Sequence, residues 1–466
     1  MNSKYLHLGI SLLCKIGINI FVVFFVASRL NVTDFGSFSL AFVFSALFIS
    51  IFDYGLNLKS LTLAGKEISI ISKDISLMLY TKVFIVFISL IAFTIFLVSN
   101  KYDVITNKAI AILVLSSVPI SFGNFYVNSF KIFHNFKSEA IGFVIQALLI
   151  LILIVFNEFY GENNIITYTY IIAIARTIYF LYAFLIFQKR FTIVSSFARS
   201  DILNTIKTTT PYAVHLILGS SIIYIDTFVL SFLSSLDDVG IYQAGMRIIM
   251  AGMLISVILS DAFIPEISSL KKKKNIAKNK LKSLFEFVIF FAVLTSTLIF
   301  FFKETIITLL FNDEYLALNT FVFYIILILF LRYIGIVPGI ILTSFSKQNV
   351  RANAVVISVI VSVVLNWVLI PVLGIEGAFI SSLIAHVVLN IIYVYKSFKT
   401  VSFFVLSKQY LVIFALIVLN LTIQIIFLKD SFSNFIIAML LSMIVLVLYL
   451  KYTKWNVFLN PAKNIE

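Results

Sequence analysis

Apolar blocks of membrane length, set apart by short polar stretches, run through this chain almost from end to end. Such blocks cross hydrocarbon only as helices, because an irregular segment would carry unpaired backbone groups into a medium without water. The pattern predicts an all-α polytopic membrane protein. Composition agrees: 61% of residues are hydrophobic and 12% charged, with mean hydropathy +1.09, whereas a soluble domain is about 45–50% apolar. Fourteen transmembrane helices are predicted, at 7–29, 36–58, 78–99, 108–130, 140–157, 165–188, 211–234, 241–263, 284–302, 320–344, 352–373, 376–396, 408–428 and 433–452. The interval 140–157 is short, and Asn366, Trp367 and Pro371 are expected to interrupt 352–373. The first apolar run is too long for a signal peptide and leads into further spans, which predicts that it is retained.

Orientation follows from the basic residues. With the N-terminus inside, alternate polar segments hold 25 of the 35 Lys and Arg residues on the cytoplasmic side and 5 outside. That asymmetry predicts an N-in, C-in chain. It also accounts for the net charge of +14 through loop lysines rather than nucleic-acid binding. The longest polar segments, 59–77, 189–210 and 264–283, all fall inside, and no extramembrane domain fits. The run Lys271-Lys272-Lys273-Lys274 either sets topology at an anionic leaflet or collects an anionic lipid substrate.

The chain contains a repeat. The corner Thr33-Asp34-Phe35-Gly36-Ser37-Phe38 returns 204 residues later as Asp237-Asp238-Val239-Gly240-Ile241-Tyr242, with Asp34 on Asp238, Gly36 on Gly240 and Phe38 on Tyr242. Asn100-Lys101-Tyr102 is echoed by Asn312-Asp313-Glu314-Tyr315. Spans 1–6 and 7–12 therefore read as two six-helix lobes. Six is even, so the lobes face the same way, related by an axis along the membrane normal with a site between them. The expected domains are 1–190 and 191–400, with 401–466 carrying two additional helices and a cytoplasmic tail.

An ionisable side chain at span depth is a functional candidate. The remaining five of the 35 basic residues are all within spans, among them Lys15, Arg176, Arg247 and Arg332 in spans 1, 6, 8 and 10. Asp226 lies mid-span 7, while Asp53 and Asp261 sit near the cytoplasmic ends of spans 2 and 8. A water-filled cavity lined this way attracts anions. Structural readings stand beside the functional ones. Arg247 either binds substrate or pairs with Asp226, and Arg176 and Arg332 either bind substrate or tie spans together. Lys15 either reaches the cavity or snorkels inward. Asp34 is a corner hydrogen-bond acceptor or a gating group, and Asp53 and Asp261 are helix-end residues or proton carriers. His215 and His386 are packed imidazoles or proton relays. The lone Cys14 allows no disulfide and reads as a packing residue. There is no phosphate-binding glycine loop and no metal-ligand cluster, and the four histidines are scattered. No cofactor or metal is expected. Uphill transport would draw on a proton or sodium gradient, the membrane potential or removal of product.

Several stretches resemble the Wzx-type polysaccharide flippases of the multidrug/oligosaccharidyl-lipid/polysaccharide exporter superfamily. Ala27-Ser28-Arg29-Leu30 with Thr33 to Phe38 is similar to that family's first corner, and Asp53-Tyr54-Gly55 to the end of its span 2. Tyr224-Ile225-Asp226, Val239-Gly240-Ile241-Tyr242 and Ile264-Pro265-Glu266-Ile267-Ser268 resemble its spans 7 and 8, Leu310 to Tyr315 its turn before span 10, and Asn366 to Ala378 its spans 11 and 12. The resemblance covers about residues 25–395. It implies inversion of an undecaprenyl-diphosphate-linked oligosaccharide across the bacterial inner membrane by alternating access, for O-antigen or a related surface polysaccharide. It implies membrane lipids, a polymerase and chain-length machinery as partners, and spans 1, 2, 7 and 8 as the cavity lining. The alternatives are a cation-coupled multidrug exporter of the same superfamily and an integral-membrane polysaccharide polymerase or ligase.

Overall fold

The computed structural model describes residues 3–63, 67–133, 135–193 and 198–402. The helices are α1 (Ser3–Arg29), α2 (Val32–Asp53), α3 (Leu56–Ser60), α4 (Ile68–Ser99), α5 (Val104–Lys131), α6 (Lys137–Tyr160), α7 (Ile165–Gln188) and α8 (Arg199–Leu233), followed by α9 (Leu236–Gly252), α10 (Leu254–Ser269), α11 (Lys274–Phe301), α12 (Lys303–Leu310), α13 (Val322–Ile334), α14 (Ile336–Ser344), α15 (Gln348–Leu373) and α16 (Ile375–Val401). Polar residues at the edges of the apolar blocks start several of them. The side chains of Asn31, Asp103 and Asn164 accept backbone N–H groups in the first turns of α2, α5 and α7, satisfying donors that have no partner inside the helix.

Each expected span up to residue 396 falls on one helix or on consecutive ones. Ten helices among the described residues are long and apolar enough to cross a membrane, and Gly17–Arg29 is a shorter apolar one. Two expectations change. The span 352–373 is not interrupted: α15 is continuous, because Pro371 lies in its last turn and the chain then turns at Gly374, φ 56°. The breaks come elsewhere, inside spans expected to be single. α2 gives way to α3 at Tyr54 (φ 48°) and Gly55 (φ 73°), α9 to α10 at Met253, and α13 to α14 at Gly335. A side chain on Gly55 would meet Tyr212 and Ala213 of α8, so this break needs glycine both for its backbone angles and for space. The spans 408–428 and 433–452, and with them the C-terminal domain 401–466, lie outside the described residues.

The chain packs as two units. Met1–Arg247 with Ser358–Ser381 forms the first, and Ile248–Ile357 with the described residues from Ser382 on forms the second. All three boundaries fall inside helices: α9, α15 and α16. In the first unit α2 is the inner helix. It packs on α4, α5, α7 and α8, and its apolar window is 67% buried against 28% for α4 and α6. Phe87, Ile95 and Val98 of α4 and Ile152, Phe156 and Phe159 of α6 are exposed, surfaces that suit lipid tails. In the second unit α13 packs on α11, and α14 on α10, around the buried Ile325, Ile328, Leu329 and Tyr333.

Candidate functional site

Two helices of the first unit deliver polar groups to one acidic side chain on a third. Asp226 of α8 is 2% exposed. Its carboxylate accepts hydrogen bonds from the Tyr242 hydroxyl of α9 at 3.0 Å, the Asn366 amide of α15 at 2.6 Å and the Ser362 hydroxyl of α15. Asn366 also donates to Ser362 at 3.2 Å. A carboxylate in a low-dielectric interior requires such donors to stay charged. Ser358, Ser362 and Asn366 recur every four residues, which places them on one face of α15, and all are buried. That spacing was the sequence signal for this centre.

Arg176 of α7 is equally committed. Its Nη1 donates to Ser45 Oγ at 2.7 Å, Ser116 Oγ at 2.9 Å and the Leu113 carbonyl at 3.3 Å. It therefore joins α7 to α2 and α5 beneath the surface, with 6% exposure. Arg247, on α9, is buried with its guanidinium over the Phe42 ring at 5.4 Å. Phe42 and Ser45 are three residues apart on α2, so Arg247 and Arg176 reach that helix about one turn apart.

In the second unit Arg332 Nε donates to His386 Nε2 at 3.1 Å, and His386 Nδ1 lies 2.8 Å from the Ser382 carbonyl. The carbonyl can only accept, so Nδ1 carries the proton and Nε2 is the acceptor. This pairing assigns a neutral imidazole. His386 thus orients the Arg332 guanidinium.

A fifth cation lay unnamed among the in-span basic residues. Lys82 of α4 is fully buried, and its Nζ donates to the Phe52 carbonyl at 2.9 Å and Ser121 Oγ at 2.7 Å. Phe52 is in the last turn of α2, where carbonyls lack helical partners and a cation meets the negative end of the helix dipole. Asp53, the final residue of α2, is the carboxylate whose charge acts on Lys82. Asp53 ends α2 and is buried, with 7% exposure. Asp34 is capped by Asn31: its N–H donates to Asn31 Oδ1 at 2.8 Å and its carboxylate accepts from Asn31 Nδ2 at 3.2 Å. The side chains of Lys15, His215 and Asp261 lie outside the described residues.

Lys271 to Lys274 are exposed and line an open recess of about 580 Å³ between α10 and α11. Lys271 Nζ donates to Ser346 Oγ at 2.8 Å. Among the described residues no group of three or more His, Cys, Asp or Glu side chains is placed to hold a metal ion.

Residues 5–271 match the family described as polysaccharide biosynthesis protein. A stretch of 194 residues is 24% identical to the probable low-salt glycan biosynthesis flippase of Haloferax volcanii, and this match spans 39% of the chain and 39% of that relative. Among solved structures, the lipid II flippase MurJ in an inward closed conformation is similar with a TM-score of 0.80 at 16% identity, over 98% of this chain and 100% of that one. An inward-facing multidrug resistance transporter of the MATE family is similar with a TM-score of 0.66 at 14% identity, over 86% and 98%. At these identities the structures speak for the fold alone.

Proposed function

The chain belongs to the polysaccharide biosynthesis protein family, and we propose that it is a flippase that moves an undecaprenyl-diphosphate-linked oligosaccharide from the cytoplasmic to the outer face of a bacterial inner membrane. The observation that carries this reading is the family match over 5–271 in a chain built, among its described residues, of membrane-length helices. A family devoted to polysaccharide assembly and a body of membrane spans meet in one task, carrying a lipid-linked glycan across the bilayer. The chain sits N-in and C-in, and its two six-span repeats alternate access to the substrate for O-antigen or a related surface polysaccharide.

The charges divide by what they touch. Arg332, oriented by His386, is our first choice for neutralising the diphosphate, because an arginine fork matches phosphate oxygens and stays charged. Arg247 and Lys15 serve the same anion from α9 and α1. Arg176 is held by its own helices, so we assign it to scaffolding. Asp226 is the coupling group: a buried carboxylate that joins three helices changes their packing whenever it gains or loses a proton or a sodium ion. The lysines at 271–274 gather anionic lipid at the cytoplasmic surface.

The test is alanine replacement of Lys15, Arg247 and Arg332 in cells whose surface polysaccharide depends on this protein. Each variant, present at normal protein levels, is expected to reduce surface polysaccharide. Full surface polysaccharide in all three contradicts the cationic pathway. A drug-resistance profile of the same cells separates this reading from multidrug export, which the fold shared with a MATE transporter also accommodates.

A further inference from the structure

One face of α16 serves α13 in the second unit. Ser382, His386 and Asn390 recur every four residues on that face, and all three are buried. His386 holds the Arg332 guanidinium. One turn further along, Asn390 Nδ2 donates to the Leu331 carbonyl at 2.8 Å. A carbonyl only accepts, so the amide has one orientation: its NH2 end faces Leu331 and its Oδ1 end points away.

That oxygen is left over. Asn390 is 8% exposed, and its Oδ1 is buried with no hydrogen-bond donor among the described residues. A buried amide oxygen without a donor is destabilising. It faces Gly335, where a side chain would place its first carbon 2.8 Å from Oδ1. The backbone at Gly335 is right-handed helix, φ −71°, so the position does not need glycine for its angles. It needs glycine for space, and Oδ1 looks into that space. Gly335 itself offers the oxygen no more than a weak C–H donor. Arg332 and Gly335 are both half-buried and lie three residues apart, on one side of the helix. The guanidinium and the amide oxygen therefore open onto one stretch of α13.

The chemistry of the pair narrows the ligand. Arg332 offers N–H groups to an anion. Asn390 Oδ1 offers lone pairs, which repel phosphate oxygens and take only an O–H or N–H. A ligand that satisfies both carries an anion and a hydrogen-bond donor close together. A glycosyl diphosphate does so on neighbouring ring carbons, with the diphosphate on C1 and a hydroxyl or acetamido N–H on C2. We propose that Asn390 is a glycan contact: in the space kept by Gly335, its Oδ1 accepts a hydrogen bond from the C2 substituent of the sugar whose diphosphate Arg332 holds. The proposal rests on the flippase reading and adds a sugar-reading group to it. A sugar with no donor at C2 leaves Oδ1 unpaired and binds less tightly.

The test uses the full-length protein in lipid nanodiscs and short-chain probes: farnesyl diphosphate alone, and farnesyl diphosphate linked to glucose, N-acetylglucosamine or 2-deoxyglucose. Affinities are read by isothermal titration. For the native protein, the tighter of the glucose and N-acetylglucosamine probes is expected to exceed the 2-deoxyglucose probe by about fivefold, and which of the two it is identifies the donor as hydroxyl or acetamido N–H. Gly335→Ala puts a methyl group in front of Oδ1 and leaves the Asn390 bond to Leu331 in place, while Asn390→Leu removes the acceptor. In both variants the margin over 2-deoxyglucose is expected to vanish. The margin is read within each variant, so a general loss of affinity or of folded protein does not imitate this result. A native protein that binds the 2-deoxyglucose probe as tightly as the other two overturns the glycan contact, as does a margin that survives in both variants. The two failures separate. Farnesyl diphosphate that binds Arg332→Ala as tightly as the native protein contradicts Arg332 as the diphosphate ligand, while the margin over 2-deoxyglucose still decides Asn390.

Discussion

The Asn366 amide donates to the Asp226 carboxylate at 2.6 Å, linking α15 to α8 in the interior of the first unit. Tyr242 adds α9 to the same carboxylate. One acidic side chain therefore fixes three helices at membrane depth, and its charge state bears on all of them.

Asp226→Ala removes the acceptor from three buried donors. Each unsatisfied buried group costs about 1–3 kcal/mol, so the variant is expected to melt several degrees lower in detergent and to lose transport. Asp226→Asn keeps the shape and removes the titratable charge. It is expected to fold with a smaller loss of stability and to transport without responding to an imposed ion gradient. Melting temperature and gradient dependence of flipping, measured on both variants, check this.

Arg176 and Arg332 should separate in experiment. Arg176→Ala removes the charged donor shared by Ser45, Ser116 and the Leu113 carbonyl, and a hydrogen bond to a charged group contributes about 1.5–3 kcal/mol. The expected result is reduced protein level and melting temperature, with transport per folded molecule largely kept. Arg332→Ala is expected to do the reverse. His386→Phe removes the acceptor that orients Arg332 and is expected to weaken transport less than Arg332→Ala. Surface polysaccharide normalised to folded protein distinguishes the two sites.

The helical architecture was legible because hydrophobic blocks of membrane length admit few other structures, and the charged spans stood out against them. The relation between the two glycine corners was legible too, since Gly36 and Gly240 each lie against a carbonyl of the other corner. Where helices break was not. Pro371 and Asn366 drew attention within 352–373, yet a proline in a last turn disturbs little and Asn366 points inward to Asp226. The breaks at Tyr54–Gly55 and Met253 carry no proline, and tertiary packing decides them, while the break at Gly335 precedes Pro338, which has no N–H for the Ile334 carbonyl. Lys82 escaped notice as a site because one lysine in an apolar run looks the same whether it snorkels or caps a buried helix end. Single-sequence charge counting also could not sort the arginines, since Arg176 and Arg332 differ only in what surrounds them.

Lys82→Met removes the donor to the Phe52 carbonyl and leaves Asp53 buried without the lysine charge beside it. A hydrogen bond to a charged group contributes about 1.5–3 kcal/mol. The variant is expected to be poorly accumulated, and Lys82→Met combined with Asp53→Asn to recover part of the loss. Protein level and melting temperature of the single and double variants test this coupling.

Gly55→Ala meets two penalties at once, a left-handed backbone and a clash with Tyr212. Backbone strain of this kind costs about 1–3 kcal/mol. The expected outcome is a lower melting temperature in Gly55→Ala than in Gly219→Ala, whose added methyl group meets nothing within 4 Å.

The most direct measurement of the flippase reading follows the substrate. In cells lacking this protein, undecaprenyl-diphosphate-linked oligosaccharide is extracted and its sidedness read with an impermeant glycan-modifying reagent applied to intact cells and to inverted vesicles. The account predicts that the lipid-linked oligosaccharide accumulates, is modified only in inverted vesicles, and reaches the outer face once the protein is restored. Lipid-linked oligosaccharide that is modified in intact cells without the protein, at the level seen with it, would contradict the account.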